Sequence, residues 1–242
     1  MEELVKISVV ITASLIGFTI SGVVGIGGGL VALPAIIWVL GVKEAVPLLS
    51  IAQLIGSASR AYLHKDGIDW NVVRYFAIGS IPVAIGASLL FVSIDSAVIV
   101  RLLGVLLILM ALYTKLPMGR NFHMPLWGFM PLGSATGFIS ALFGVPGPFA
   151  TVFYLCFGLT ASAYVGTSSV GYGFIQIPKL IVFGLDGLLD SRLILIGAGL
   201  STLSVLGAYL GKLLLGRIPE NTFATLITII LVAAGISLIL KN

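Results

Sequence analysis

Apolar runs follow one another along this chain with little between them. They cover residues 4–23, 29–41, 45–63, 71–92 and 97–114, then 125–142, 148–158, 162–183, 191–214 and 221–240. A helix needs about 20 apolar residues to cross hydrocarbon, and most of these runs reach that length. Two do not. Residues 29–41 would extend about 18–20 Å as a helix and 148–158 less, against roughly 30 Å of bilayer core. Residues 115–125 form the longest polar stretch and contain two prolines, so they read as a linker. The pattern predicts an all-α integral membrane protein of eight to ten helices. It divides into a first transmembrane repeat (1–114), a linker loop (115–124) and a second transmembrane repeat (125–242).

The halves share their punctuation as well as their hydropathy. Ser21 and Gly25 correspond to Ser140 and Gly144, Ser50 to Ser168, and Asp66-Gly67 to Asp186-Gly187. Gly86-Ala87 matches Gly207-Ala208, with Ile94 and Ile218 beyond. If the two short segments cross the membrane, each half has five spans and the repeats are inverted. If they dip in and return, each half has four and the repeats are parallel. Counting basic residues gives seven against six for ten crossings and nine against four for eight, and the second fits positive-inside bias better. Against it, Lys43-Glu44 would then turn at mid-depth, where charge is expensive. Inverted repeats are the preferred reading. The pairs Gly133/Gly137 and Gly207/Gly211 have the spacing that lets helix backbones approach closely.

Composition agrees with the pattern. The 242 residues are 59% hydrophobic and 9% charged, and mean hydropathy is +1.18. A soluble domain carries roughly 25% charged residues, so this chain has no water-facing surface to spare. The runs are too long for the short alternating strands of a membrane barrel. The net charge of +4 comes from single basic residues assigned to short loops, which argues against a nucleic-acid partner. The single cysteine, Cys156, has no intrachain partner, and its apolar neighbours suggest packing. The N-terminus lacks the features of a cleaved signal, so the first run is expected to be a retained helix. The expected location is the cell membrane, as a multi-pass protein.

Chemistry is expected at two breaks. Gly25, Gly27, Gly28 and Gly29 interrupt the first half, and Gly144, Pro146, Gly147 and Pro148 interrupt the second. In a bilayer, irregular backbone is tolerated only where protein buries it or where it lines a polar cavity. Broken helices at matching places in two halves point to a transport site. A helix starting inside the membrane offers unpaired N–H groups and the positive end of its dipole, which together bind anions. The bland alternative is a kink filled by a neighbouring helix. Ser50, Gln53 and Ser57 in one half, and Thr167, Ser168, Ser169 and Gln176 in the other, add hydroxyls and amides. Serines and threonines often bond only their own helix, whereas buried amides need partners. Tyr154, Tyr164 and Tyr172 could contribute, although anchoring at the interface is the commoner role. No acidic residue falls near the centre of a run, which argues against a carboxylate-coupled pump. His64 and His123 read as solvated or interfacial. No hydrolase elbow or zinc-protease motif is present, so an enzyme is not expected, nor any metal or cofactor. The expectation is an anion held by helix ends, with no lysine or arginine neutralising it.

At these residues the sequence resembles the sulfite exporter TauE/SafE family of membrane permeases over nearly the whole chain. The likeness rests on Gly25-Ile26-Gly27-Gly28-Gly29 followed by Pro34 and Gly41, and on Gly158 followed by Gly166-Thr167-Ser168. The chain departs from the family pattern at Leu48-Leu49-Ser50 and at residues 145–148. The resemblance implies transport of a small inorganic or organic sulfur-containing anion, such as sulfite or an organosulfonate, across a lipid bilayer. An uptake permease for another organic anion and a non-transporting structural or assembly subunit are the alternatives. A homo-oligomer is compatible with each.

Overall fold

The computed structural model describes residues 2–24, 29–113, 123–146 and 149–214, together with 232, 235, 236 and 238. Residues 114–122, which include most of the linker, and most of the tenth apolar run lie outside this set, as do Gly25, Gly27, Gly28, Gly147 and Pro148. Among the described residues there are nine α-helices and no strand. They are α1 (Glu2–Val24), α2 (Gly29–Leu40), α3 (Val42–Leu63), α4 (Trp70–Ser93), α5 (Ser96–Tyr113), α6 (Phe129–Phe143), α7 (Phe149–Cys156), α8 (Ala161–Leu185) and α9 (Ser191–Leu214). Among the described residues, four stretches are long and apolar enough to cross a membrane: Trp70–Ser93, Leu126–Phe143, Ala161–Leu185 and Ser191–Leu214.

The acidic residues between runs do structural work at helix starts. Asp69 Oδ1 accepts from the amides of Asn71 and Val72 at 2.9 and 3.2 Å. Asp95 and Asp190 accept from Ala97 and Leu193 in the same way. Each satisfies amides that the first turn of a helix leaves unpaired.

Two helix pairs are joined backbone to backbone. On α9, a Cβ at Gly207 would lie 2.6 Å from Phe18 Cβ, and a Cβ at Gly22 of α1 would lie 2.7 Å from the Gly207 carbonyl oxygen. In α6, a Cβ at Gly133 would run into the Phe76 carbonyl of α4, and one at Gly137 would sit 2.7 Å from the Ser80 carbonyl. Both glycine pairs singled out by spacing are therefore helix-crossing points, and the small residues are there because nothing larger fits. Along each contact the numbers rise together, Phe18 and Gly22 against Gly207 and Gly211, Phe76 and Ser80 against Gly133 and Gly137. Helices α1 and α9 thus run parallel, as do α4 and α6.

Helices α3 and α8 pack between these pairs, α3 also touching α9 and α8 touching α4. The distribution of polarity is that of a protein in lipid. Leu109, Leu195 and Leu206 face outward, while Arg60, Lys179, Gln53 and Gln176 are buried. Tyr154, Tyr164 and Tyr172 are also interior rather than interfacial, stacked with Phe76 and Phe129 in an aromatic cluster.

Candidate functional site

The polar interior is laid down by two helices with the same rhythm. On α3, Ser50, Gln53, Ser57 and Arg60 follow at intervals of three and four residues, and His64 continues the spacing just past the helix end. On α8, Ser169, Tyr172, Gln176 and Lys179 do likewise. At 3.6 residues per turn this spacing puts each set on one face. The two faces meet antiparallel. Gln53 pairs with Gln176, and seven residues further along α3, Arg60 pairs with Ser169, seven residues earlier on α8.

One connected set of hydrogen bonds runs through the centre. Lys179 Nζ donates to the Ser140 carbonyl (2.8 Å), to Ser140 Oγ (3.3 Å) and to Gln176 Oε1 (2.9 Å). Gln176 Nε2 donates to Gln53 Oε1 at 2.8 Å, and Gln53 Nε2 donates to the Gly144 carbonyl at 2.8 Å. Gly144 ends α6 with a left-handed φ of 74°. That conformation is open to glycine at no steric cost. Lys179 and Gln53 thus supply donors to the carbonyl end of α6, which is also the negative end of its dipole.

The two breaks come together here. A Cβ on Gly29, at the start of α2, would lie 2.5 Å from Gln53 Nε2, 2.7 Å from Val145 Cγ1 and 3.3 Å from the Gly144 carbonyl oxygen. The edge of the first interruption therefore touches the edge of the second, with Gln53 against both.

A second set of contacts surrounds Arg60. Its Nε donates to Ser169 Oγ at 3.2 Å and its Nη2 to Ser57 Oγ at 3.0 Å. The side chain is 2% exposed, and among the described residues no carboxylate lies within salt-bridge distance. Lys179 is fully buried and likewise has no carboxylate partner among them. Burying a charge without a counter-charge is costly, so two such cations single this interior out as the candidate site. The expectation was an anion held with no lysine or arginine to neutralise it, and this interior contains one of each. Both had been counted among the loop cations.

His64 also departs from its expected solvated setting. It is buried, with Nδ1 2.8 Å from Ser162 Oγ and Nε2 without a partner among the described residues. Burial, with Lys212 and Arg60 nearby, holds its pKa below the usual 6.5. His123 is exposed.

The remaining sequence candidates divide. Ser57, Gln53, Gln176, Gly29 and Gly144 join the interior described above. Ser50 is close by but donates to its own helix at the Val46 carbonyl (2.8 Å). Thr167 accepts from the Asp69 amide at 3.0 Å, tying α8 to the turn before α4. Ser168 reaches the Val165 carbonyl at 3.4 Å.

Comparison with known proteins gives a consistent picture. The chain is 27% identical over 260 residues to "Probable membrane transporter protein YjnA" of Bacillus subtilis, covering 97% of this chain and 100% of that one. It is 29% identical over 164 residues to "Probable membrane transporter protein MJ0441" of Methanocaldococcus jannaschii, covering 60% of each. No solved structure matches it. The profile described as "Sulfite exporter TauE/SafE" matches residues 9–238, nearly the whole chain. With its apolar helices and polar interior, this multi-pass membrane protein belongs to the sulfite exporter TauE/SafE family of transporters.

Proposed function

We propose that the protein carries a small sulfur-containing anion, sulfite or an organosulfonate, through the α3–α8 interface where the two breaks meet. The observation that carries this reading is the pair of buried cations, Arg60 and Lys179, set among amides and hydroxyls with no carboxylate partner among the described residues. Such an interior is electropositive and low in dielectric, so it favours an anion over a cation or a neutral solute. Gly25, Gly27, Gly28, Gly29 and Gly147 would bring backbone amides close to the solute, Gly144, whose own amide is held by the Ser140 carbonyl, would border it, and Ser50, Gln53, Ser57, Thr167, Ser168 and Gln176 would line its route. The inside-negative potential would drive outward movement by about 2.3 kcal/mol per charge per 100 mV.

The same reading assigns inverted repeats with ten crossings. Its support is the exchange of partners: α1 lies on α9 as α6 lies on α4, both parallel, while α3 and α8 cross antiparallel. An even number of spans per half would leave α3 and α8 pointing the same way.

Radiolabelled sulfite flux into proteoliposomes, with sulfate and acetate as controls, tests the substrate. Saturable sulfite or sulfonate flux above both controls is the expected result. Flux of another organic anion alone would favour the uptake alternative, and no flux of any small anion would favour a structural or assembly subunit.

A further inference from the structure

The two buried cations differ in what they have left to give. An ammonium has three hydrogens, and those of Lys179 meet three acceptors: the Ser140 carbonyl, Ser140 Oγ and Gln176 Oε1. A guanidinium has five N–H donors in a planar fork, and Arg60 engages two of them, on Ser169 and Ser57. Three remain without a partner among the described residues, two of them on Nη1. That nitrogen borders the same face of Gly56 as Ser204 Oγ of α9. The Ser204 hydroxyl is buried without a partner among the described residues, as is that of Tyr172, which stands one turn along α8 from Ser169, the partner of Arg60 Nε. Unspent donors, a buried positive charge and unsatisfied hydroxyls therefore lie around Arg60, and the groups around Lys179 are mutually satisfied.

We infer that Arg60, and not Lys179, is the residue that takes the negative charge of the transported solute, which is a small oxoanion with several acceptor oxygens, held with the hydroxyls of Tyr172 and Ser204. The inference rests on the anion-transport reading and adds where the charge is held. Lys179 is on this view a brace, joining α8 to the carbonyl end of α6. An oxoanion such as sulfite or a sulfonate can accept from the guanidinium fork and from hydroxyls at once, which a halide does less well.

The test uses the full chain in lipid nanodiscs, with thermal unfolding followed against added sulfite, ethanesulfonate and chloride. The wild type should be stabilised by the two oxoanions at concentrations where chloride has little effect. Arg60→Gln should need about tenfold more oxoanion, or greater, for the same rise in midpoint, and Arg60→Lys should fall between. Lys179→Gln should unfold at a lower temperature and lose less of the oxoanion response than Arg60→Gln does. A wild-type concentration dependence in Arg60→Gln overturns the inference, as does a larger loss of response in Lys179→Gln than in Arg60→Gln. If Arg60→Gln does not fold, Tyr172→Phe and Ser204→Ala decide: weaker oxoanion response supports the assignment, and an unchanged response in both overturns it. Sulfite flux by the wild type with an unchanged Arg60→Gln response defeats only this inference, whereas a wild type that neither binds nor moves any oxoanion defeats the transport reading too.

Discussion

Gln176 donates its amide hydrogen to the side-chain carbonyl of Gln53 at 2.8 Å, and this bond joins the two halves of the chain at their centre. Each glutamine is committed on its other end as well, Gln53 to the Gly144 carbonyl and Gln176 to Lys179. Removing either strands a buried partner. Gln53→Leu and Gln176→Leu should each lower stability by about 1–2 kcal/mol, the range for hydrogen bonds between membrane helices. The double variant should cost less than the two together, since both break the same bond. Reversible unfolding in detergent measures all three.

Lys179→Met should be more damaging than either glutamine change. It leaves Gln176 Oε1 without its buried donor and the Ser140 carbonyl with the Gly144 amide alone. A drop of about 2–4 kcal/mol is expected, as for other buried polar groups left unsatisfied in numbers. A Lys179→Met variant that unfolds at the wild-type temperature would show that the brace is dispensable.

Gly56 marks the closest approach of α9 to α3. A Cβ there would collide with Ser204 Oγ and stand 3.1 Å from Ser204 Cβ. Gly56→Ala should lower folded yield, measured as monodisperse protein after solubilisation. Adding Ser204→Ala removes the colliding oxygen and should recover part of that loss.

His64 gives the stability a pH dependence. Its pKa is lowered by burial and by Lys212 and Arg60, so the folded state holds the ring neutral where the unfolded chain begins to protonate it. Between the unfolded value near 6.5 and the lower folded value, the unfolded state binds more protons. Stability should therefore be level above about pH 6.5 and decline as pH falls through the folded value. Unfolding midpoints of wild type and His64→Gln over pH 5–8 check this, with the variant expected to lose the acid-side decline.

Much of the fold was legible because bilayer thickness forces long apolar runs, and the ends of those runs carry aspartates that cap helices. Gly133/Gly137 and Gly207/Gly211 were readable for a similar reason: close approach demands a fixed spacing. Arg60 and Lys179 were misread because each stands near the end of a run, where a long cation ordinarily reaches the interface. The available signal was the company they keep. Arg60 continues the stripe of Ser50, Gln53 and Ser57, and Lys179 that of Ser169, Tyr172 and Gln176, so each lies on a helix face already polar. The tyrosines were harder to place, because an interfacial ring and a buried one have the same sequence.

Where glycine lets α1 rest on α9 and α4 on α6, backbone meets backbone and few side chains lie between the helices to be rearranged. Sliding one member past the other would lift a carbonyl ridge over the next bulky residue, so each couple behaves as a strut. The seam between α3 and α8 is different, spanned by side chains that can swing and exchange partners. What can give in this bundle is therefore at that seam, beside the route proposed for the solute.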